Sequence, residues 1–354
     1  MNKNFLISTG GSGGHVIPAT IVYEHLNKNN NIIISSDRRG LKYLNKDIYQ
    51  LEIIDTPRLN NIFFLPINII IIIYLIFRSY LLLKKRKICK VFSTGGYMSL
   101  PIILAAKLLK LNIYLIEPNH VLGRANRFFL NACKKIFCYS DAIKNFPTKY
   151  KFKIVAINPF VKEYVYKLSL QSDIKKKFTI LIVGGSQGAS VFDNNLKDEI
   201  IEISKKTPVK IIQQTKKKNC EYFTDLYSKN NIENKIFSYD ENLVDLMSEA
   251  DLCITRAGAS TLAELSVLNT PFIAVPLPTS KDRHQFENAS FYEKKNCCWL
   301  IDQINFEQKI GEVLKDILEK KSDLLKKKEN LKKLNYQNTW INVNQKILDN
   351  VNEN

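Results

Sequence analysis

Two glycine-rich loops could hold a phosphate group. The first, residues 10–15 (GGSGGH), follows a short apolar run, and the second, residues 184–190 (GGSQGAS), follows a similar run in the other half of the chain. Glycines between a strand and a helix bring backbone N–H groups and the positive helix end toward an anion. Neither loop has the spacing of a dinucleotide-binding loop or the Gly-Lys-Ser/Thr of a P-loop. The repeat predicts a phosphate-bearing ligand, although glycines at such turns can also serve the turn alone.

The stretch 256–264 (RAGASTLAE) has two interpretations. Thr261 and Glu264 have the spacing of a capping box, which would give both residues a role in starting a helix. Alternatively, small residues around Ser260 leave the helix N-terminus open to a diphosphate, and Glu264 accepts hydrogen bonds from ribose hydroxyls. The residues alone favour neither interpretation.

Residues 276–289 form a polar segment with two prolines after the apolar run 272–275. Loops at the carboxyl ends of parallel strands commonly carry ligand contacts. His284 and Gln285 have hydrogen-bonding groups suited to sugar hydroxyls. The alternative is an ordinary surface loop.

The sequence shows no sign of a metal or cofactor site. No group of His, Cys, Asp or Glu residues has metal-ligand spacing, and no Asp-x-Asp pair suits a nucleotide-bound divalent ion. Charge on a leaving group would then be met by helix ends and side chains. Asp37 follows the second predicted strand, where a ribose-binding acid could stand, but the loop spacing and the adjacent Arg38 and Arg39 disfavour NAD. We therefore expect neither metal nor cofactor.

Both glycine loops begin an alternation of strands and helices that is typical of parallel α/β domains. A length of 354 residues predicts two of them. The predicted strands are residues 5–9, 32–35, 91–93, 113–116 and 136–139 in the first half and 179–183, 209–213, 252–254 and 272–275 in the second, with helices over 17–26 and 191–204. We predict domains at residues 1–160 and 161–335, and a C-terminal helix at 336–354 that could pack back on the first domain.

The chain is basic, with a net charge of +18 and a pI near 9.4, which implies an anionic partner. Lysine is spread along the sequence and no nucleic-acid-binding motif is present, so nucleic acid is not an expected partner. Seven cysteines without paired metal spacing indicate reduced, mostly buried thiols. The N-terminal residues lack the apolar core of a secretory signal, so we expect a cytosolic protein.

Residues 62–83 (IFFLPINIIIIIYLIFRSYLLL) have nearly the length and composition of a membrane-spanning helix, and the basic run 84–87 follows them. Pro66 and Arg78 interrupt the segment, and one charge inside a span costs about 2.5–3.5 kcal/mol. The pattern disfavours a spanning helix and leaves two alternatives, a buried core helix and an interfacial helix with a basic collar.

These residues resemble the MurG family of glycosyltransferases, which has the GT-B fold: two Rossmann-like α/β domains with parallel sheets facing a central cleft. The resemblance extends from residue 10 to about residue 301, and its motifs are specific when taken together and in order. They are residues 10–15, 95–97 (GGY), 117–119 (EPN), 158–159 (NP), 184–189 (GGSQGA), 256–264 and 282–285 (DRHQ). The resemblance implies an inverting enzyme that moves N-acetylglucosamine (GlcNAc) from UDP-GlcNAc to the MurNAc 4-hydroxyl of lipid I, giving UDP and lipid II in peptidoglycan synthesis.

The resemblance also implies roles for individual residues. The donor UDP-GlcNAc would be contacted by Ser12, Gly13, Gly14, Asn119, Ser186, Asp240, Ser260, Thr261, Glu264, His284 and Gln285. The acceptor would be contacted by Gly13, Gly14, His15, Gly96 and Tyr97. His15, Tyr97 and Asn119 would act in catalysis, with His15 as general base because an imidazole titrates near neutral pH.

The implied partners are UDP-GlcNAc, lipid I and the cytoplasmic face of the bacterial inner membrane. Other proteins of cell-wall synthesis are compatible with the resemblance as further partners. Residues 62–87 fall where the family has an apolar surface flanked by basic residues, so the resemblance favours peripheral membrane contact over a buried helix.

The sequence departs from the family pattern at three places. The family's Asn-Pro-Val-Arg reads NPFVK at residues 158–162, so Val161 stands at the arginine position, and Lys162 offers a charge without the bidentate fork. Proline replaces the glutamine of Glu-Gln-Asn at residues 117–119, and His284 replaces the first of two glutamines. The alternatives are a diacylglycerol glycosyltransferase of this fold, a UDP-GlcNAc 2-epimerase, and a nucleotide-sugar binder without catalysis.

Overall fold

The computed structural model describes residues 3–57, 62–169, 177–185 and 190–352. The chain forms two compact units, Met1–Phe160 with Ile341–Asn354, and Val161–Trp340. The second unit ends at Trp340, whereas the sequence predicted an end at residue 335. The residues up to Trp340 belong to this unit because they contact Tyr166, near its start. The Tyr166 hydroxyl donates to Asn338 Oδ1 at 3.3 Å, and the rings of Tyr166 and Trp340 lie 6.2 Å apart.

Within the described residues, the first unit contains a sheet of seven parallel strands in the order β3-β2-β1-β4-β5-β6-β7. The strands are β1 (Lys3–Ser8), β2 (Asn30–Ser36), β3 (Gln50–Ile53), β4 (Ile88–Ser93), β5 (Asn112–Glu117), β6 (Lys135–Cys138) and β7 (Ile154–Ala156). The helices between them are α1 (Gly13–Leu26), α2 (Leu65–Lys85), α3 (Leu100–Leu108) and α4 (Arg124–Phe129). Strand order reverses between β1 and β4, and ligands of such sheets bind beyond the carboxyl ends of the strands at this point.

The interior of the first unit explains why its strands are almost continuously apolar. Phe5, Leu6 and Ile7 on β1 are all buried, as expected for a parallel strand covered on both faces.

The seven cysteines of the chain are free thiols and five of them are buried, which confirms the prediction that most of the thiols are buried. Burial raises the pKa of the Cys133 thiol to about 11, so that thiol stays protonated at neutral pH.

Helix α2 is exposed over most of its length. Its buried side chains are Ile72, Leu75, Ser79 and Leu83, at helical spacing along one face. Among the described residues, α2 is the one helix long and apolar enough to cross a membrane by length and composition, and only 17% of its apolar window is buried. Ile67, Ile70, Ile73, Tyr74 and Phe77 are each more than half exposed. The segment is therefore not the buried core helix that the sequence left as an alternative.

The described part of the second unit contains a six-stranded parallel sheet in the order β10-β9-β8-β11-β12-β13. The strands are β8 (Phe178–Val183), β9 (Val209–Gln214), β10 (Glu233–Phe237), β11 (Leu252–Thr255), β12 (Phe272–Ala274) and β13 (Cys298–Leu300). The helices are α5 (Glu163–Leu168), α6 (Ser190–Asn195), α7 (Lys197–Ser204), α8 (Cys220–Lys229), α9 (Leu243–Glu249), α10 (Ala259–Val267), α11 (His284–Lys294), α12 (Phe306–Glu319) and α13 (Lys321–Leu334). The order reverses between β8 and β11, so the loops after these two strands are neighbours.

The predicted strands are all present, but β3, β7, β10 and β13 were not predicted. These four strands lie at the edges of the two sheets and are only three to five residues long, so they leave little pattern in the sequence. Two helices also differ from their predicted bounds. Helix α1 begins at Gly13 rather than at residue 17, and the helix predicted over 191–204 is divided into α6 and α7.

The last helix, α14 (Trp340–Asn352), groups from Ile341 onward with the first unit. Its apolar side chains Val343, Ile347 and Val351 are buried. Lys90 Nζ and the Tyr114 hydroxyl both donate to the Val351 carbonyl, the latter at 3.3 Å. A lysine at the C-terminal end of a helix meets the negative end of the helix dipole. Burial lowers the pKa of Lys90, so the contact places a costly charge inside the unit.

Candidate functional site

The first glycine loop follows β1 and is shaped by the buried carboxylate of Asp37. Gly10 and Gly11 have φ of +146° and +78°, values that favour glycine. Asp37 Oδ1 accepts from the N–H groups of Gly11 at 2.7 Å and Gly40 at 3.0 Å, and a Cβ on Gly10 would lie 2.6 Å from that oxygen. Asp37 therefore holds the loop, and its carboxylate is not the ribose-binding group that its position had suggested.

Helix α1 starts directly after this loop. Ser12 is its N-cap residue, and the Ser12 carbonyl accepts from His15 N at 3.0 Å and Val16 N at 3.1 Å. The Ser12 side chain makes no cap hydrogen bond, and the N–H groups of Gly13 and Gly14 find no acceptor among the described residues. Two unused amides at a helix start form a site for an anion.

The hydrogen bond of the His15 ring defines which of its nitrogens can act as a base. Nδ1 lies 2.9 Å from the carbonyl oxygen of Thr94, the residue after β4. A carbonyl only accepts, so in neutral imidazole Nδ1 carries the proton and Nε2 carries the lone pair. A Cβ on Gly96 would lie 3.5 Å from Nε2, so this nitrogen faces the second loop of the unit. The geometry suits a general base that acts through Nε2.

Tyr97 follows Gly95 and Gly96, whose φ values are +80° and +82°. A Cβ on Gly95 would lie 2.9 Å from Asn126 Oδ1, so a larger residue would not fit there. The Tyr97 hydroxyl accepts a hydrogen bond from Arg39 Nη2. The loops after β1, β2 and β4 thus meet around Gly96, His15 and Tyr97.

Asn119 follows β5 and is oriented by the buried carboxylate of Glu117. Asn119 donates through its backbone N–H at 3.2 Å and Nδ2 at 3.0 Å, both to Glu117 Oε1. Glu117 Oε2 accepts from Gly123 N at 2.8 Å and Asn126 Nδ2 at 3.0 Å. The proline at residue 118 leaves this arrangement in place, so that departure from the family pattern does not remove the orientation of Asn119.

In the second unit, helix α10 begins three residues earlier than a capping box would require. Its N-cap is Gly258, with φ −68° and ψ 136°, and no side chain caps it. Thr261 lies in the first turn and Glu264 in the second, so the capping-box interpretation is wrong. The extended Gly258 lets the helix start at Ala259, where a threonine cap would have delayed it. At this helix start the Ser260 hydroxyl oxygen is buried and has no hydrogen-bond partner among the residues that the structure describes.

Glu264 lies half-buried on α10 and is free of the capping role. Desolvation raises the pKa of its carboxyl to about 7, and the nearby charge of Lys162 partly opposes that rise. Val161, at the position where the family has arginine, is only 1% exposed. Lys162 is therefore the cation of this segment that acts on Glu264.

Arg256 was only part of a motif in the sequence, and the structure gives it a definite role. Nη1 donates to the Val275 carbonyl at 3.1 Å, and Nη2 donates to Gln303 Oε1 at 2.7 Å. Asn288 Nδ2 donates to the Ala257 carbonyl at 3.2 Å. These contacts tie the loop before α10 to the loop after β12 and to α11. Nothing in the spacing of Gln303 could have identified it.

His284 and Gln285 lie at the start of α11, each oriented by one backbone group. Leu277 N donates to Gln285 Oε1 at 2.9 Å, which leaves the Gln285 NH₂ group as the outward hydrogen-bond donor. His284 Nδ1 lies 2.8 Å from the Lys281 carbonyl, so the neutral ring offers Nε2 as an acceptor. Asp282 and Arg283 precede them with φ of +51° and +54°, a strained backbone for residues other than glycine. Strain of this kind concentrates at functional sites.

Two further predicted donor contacts have different outcomes. Asp240 accepts from Asn242 N at 2.8 Å and pairs with Lys235 at 3.2 Å, so its carboxylate shapes the loop before α9. A contact from this segment to a ligand would come from the backbone rather than from that carboxylate. Ser186 lies outside the described residues; before it, Gly184 N donates to Gln214 Oε1 at 3.2 Å, and Gly185 has φ +74°.

Two family models match most of the chain. The glycosyltransferase family 28 N-terminal domain matches residues 5–138, and the C-terminal domain of the same family matches residues 179–339. The chain is 49% identical over 356 residues to a protein of Pelagibacter ubique (strain HTCC1062), with 100% of both chains covered. That protein is named UDP-N-acetylglucosamine--N-acetylmuramyl-(pentapeptide) pyrophosphoryl-undecaprenol N-acetylglucosamine transferase.

Solved structures share the fold. The chain matches MurG of Acinetobacter baumannii with a TM-score of 0.78 and 24% identity, covering 99% of this chain and 98% of that one. It matches a UDP-GlcNAc 2-epimerase of Neisseria meningitidis with a TM-score of 0.69 and 16% identity, covering 99% and 100%. The predicted fold class, GT-B with two Rossmann-like α/β domains, is confirmed. The fold alone does not separate a transferase from an epimerase.

Proposed function

The chain belongs to glycosyltransferase family 28, and on that premise we propose that it transfers GlcNAc from UDP-GlcNAc to the MurNAc 4-hydroxyl of lipid I. The products are UDP and lipid II. The observation that carries this proposal is the 49% identity, over the whole of both chains, to a relative named for that reaction. The site residues of both units supply the chemistry that the reaction needs.

The second unit binds the donor. The N-terminus of α10, with Ser260 and Thr261, meets the diphosphate, because backbone N–H groups and the helix dipole stabilise negative charge there. Glu264 accepts hydrogen bonds from the ribose hydroxyls, and Lys162 supplies the positive charge that the family carries on arginine. His284 Nε2 and the Gln285 NH₂ group contact the GlcNAc hydroxyls as acceptor and donor. Ser186 is a further contact to the diphosphate.

The first unit binds the acceptor and activates it. The amides of Gly13 and Gly14 hold the acceptor's pyrophosphate, while Ser12, Gly96, Tyr97 and Asn119 surround the reacting groups. His15 Nε2 takes the proton of the MurNAc 4-hydroxyl as its oxygen attacks the anomeric carbon. The bond from that carbon to the diphosphate oxygen breaks, and UDP leaves with the bonding electrons. Attack opposite the leaving group inverts the configuration to β.

The reaction is tested with radiolabelled UDP-GlcNAc and a soluble lipid I analogue, with and without EDTA. We expect label in the disaccharide product and stoichiometric UDP, at equal rates in both buffers. No transfer to this acceptor would contradict the proposed function, and transfer that EDTA abolishes would contradict the expected independence of metal. Formation of UDP and an epimerised sugar without acceptor would identify an epimerase, and transfer to diacylglycerol instead would identify the other lipid glycosyltransferase.

We also propose that α2 places the enzyme peripherally on the cytoplasmic face of the membrane. The exposed isoleucines and aromatic side chains of this helix form an apolar surface, and the basic run at residues 84–87 follows at its end. An apolar helix face beside lysines and arginines binds an interface through buried area and attraction to anionic lipids. A surface of this kind would bring the enzyme to a lipid-linked acceptor.

The double variant Ile70→Glu/Ile73→Glu is expected to lower affinity for vesicles of anionic phospholipid by about 100-fold, because each isoleucine loses a contribution of about 1.5 kcal/mol or more. The two side chains are 67% and 61% exposed, so the fold should tolerate the change. The measurement is co-sedimentation with vesicles. Leu108→Glu, at an equally exposed position of the same unit, is the matched control and should bind like the unaltered chain. Equal binding by all three proteins would rule out α2 as the membrane surface.

A further inference from the structure

Arg39 joins three loops of the first unit through one guanidinium group. Its Nε donates to Asp37 Oδ2 at 2.8 Å, and its Nη2 donates both to that oxygen and to the Tyr97 hydroxyl. The guanidinium carbon lies 5.2 Å from the centre of the Tyr97 ring. A Cβ on Gly11 would lie 3.9 Å from Nη2, so the group also borders the first glycine loop.

We propose that Arg39, held by Asp37, is a positioning residue for the acceptor side of the reaction. This inference rests on the proposed function, in which Tyr97 contacts the acceptor and the glycine loop holds its pyrophosphate. Arg39 sets the place of the Tyr97 hydroxyl relative to that loop. The reason is that Asp37, which is only 3% exposed, accepts hydrogen bonds both from the backbone N–H of Gly11 and from the guanidinium group of Arg39.

The shape of the side chain explains why arginine stands there. A guanidinium can donate in its plane to Asp37 and, from the same plane, to Tyr97, whereas a lysine ammonium is a point charge without that fixed geometry. The hydroxyl oxygen of Tyr97 accepts from Arg39, so this contact holds that oxygen at a defined place beside the first glycine loop.

The neighbouring Arg38 provides a matched comparison. Its side chain is 82% exposed and pairs at 2.9 Å with Asp55, which is itself 45% exposed. Arg38→Ala and Arg39→Ala remove the same charge from adjacent positions of one loop. They differ in that only Arg39 is joined to Asp37 and Tyr97.

The test measures KM for the lipid I analogue and for UDP-GlcNAc, together with kcat, in both variants. Arg39→Ala is expected to lower kcat/KM for the acceptor about 10- to 100-fold, the effect of losing a hydrogen bond from a charged group. KM for the donor should stay unchanged, and Arg38→Ala should behave like the unaltered chain. Arg39→Lys should recover only part of the loss. In a Tyr97→Phe background, Arg39→Ala should add little, because the hydroxyl that it positions is already gone.

Three results would overturn the inference. They are equal effects of Arg38→Ala and Arg39→Ala, an equal rise of KM for donor and acceptor, and full additivity with Tyr97→Phe. Near-ultraviolet circular dichroism and thermal unfolding of each variant identify a loss that comes from unfolding. If Arg39→Ala fails to fold, Arg39→Lys carries the same comparison. Absence of transfer by the unaltered chain would instead contradict the proposed function, so the two failures are distinguishable.

Discussion

Replacing His15 with asparagine is expected to lower kcat for GlcNAc transfer by about 100- to 10,000-fold, the usual contribution of a general base. The asparagine NH₂ group can still donate to the Thr94 carbonyl, as Nδ1 of His15 does at 2.9 Å. It has no basic nitrogen at the position of Nε2, the atom that faces Gly96. The variant therefore keeps the hydrogen bond to Thr94 and removes the base. Steady-state kinetics with the soluble lipid I analogue measure the effect, and KM for UDP-GlcNAc should not change.

A second variant separates the base from the hydrogen bond that holds it. His15→Ala, which also removes the hydrogen bond to Thr94, serves as the comparison. If asparagine preserves most of the rate while alanine does not, His15 acts by holding the loop after β4, and the base lies elsewhere.

Replacing Glu264 with glutamine is expected to raise KM for UDP-GlcNAc about 10- to 100-fold, because a carboxylate hydrogen bond to the ribose becomes a neutral one. The same change should increase the free energy of unfolding at pH 8 by about 1–3 kcal/mol. The reason is that burial raises the pKa of Glu264 from 4.5 to about 7, so keeping the ionised carboxylate half-buried opposes folding. A variant that is more stable and binds its donor less well is typical of a ligand-binding residue.

The sign of the pH effect follows from this pKa. The folded chain holds the Glu264 proton up to about pH 7, whereas the unfolded chain releases it near 4.5. The folded state is therefore most stable with respect to this group below pH 4.5, where Glu264 is protonated in both states. That stability is lost as pH rises through 7, where the half-buried carboxyl ionises. Urea unfolding from pH 4 to 8 should therefore show the advantage of Glu264→Gln growing over that range. Donor affinity of the unaltered enzyme should fall as pH drops through 7, and the variant should lack this dependence.

Glu221→Gln is the matched control, since Glu221 is an exposed carboxylate on α8 of the same unit. It should change neither donor KM nor the pH dependence of unfolding. If Glu264→Gln destabilises the protein and donor affinity of the folded fraction is unchanged, the carboxylate is structural and its ribose role is wrong.

Much of the architecture follows from local sequence. The apolar runs and glycine loops predicted strands followed by helices, since parallel strands are buried on both faces and a turn into a helix needs glycine where φ is positive. The order of motifs identified the family and hence the fold. The edge strands β3, β7, β10 and β13 were missed because half-exposed strands of three to five residues leave little pattern in a sequence.

Other features depended on which groups meet across the fold. The spacing of Thr261 and Glu264 suggested a capping box, but α10 starts at Ala259, and Glu264 is left in a desolvated place beside Lys162. Asp37 follows a strand where a ribose-binding acid could stand, and the structure shows that its carboxylate binds Gly11 and Arg39 instead.

The sequence by itself determined the fold class, the family, and the residue types that the reaction uses, because strand periodicity, turn glycines and motif order are encoded in short stretches. Only the tertiary structure decided the state of those residues. The tautomer of His15 depends on Thr94, which lies 79 positions away along the chain. The Gln285 oxygen is occupied by Leu277 N, which leaves its NH₂ group as the donor, and the Tyr97 hydroxyl is held by Arg39. Hydrogen bonds and desolvation act between groups that folding brings together, and no local pattern in the chain records those pairings.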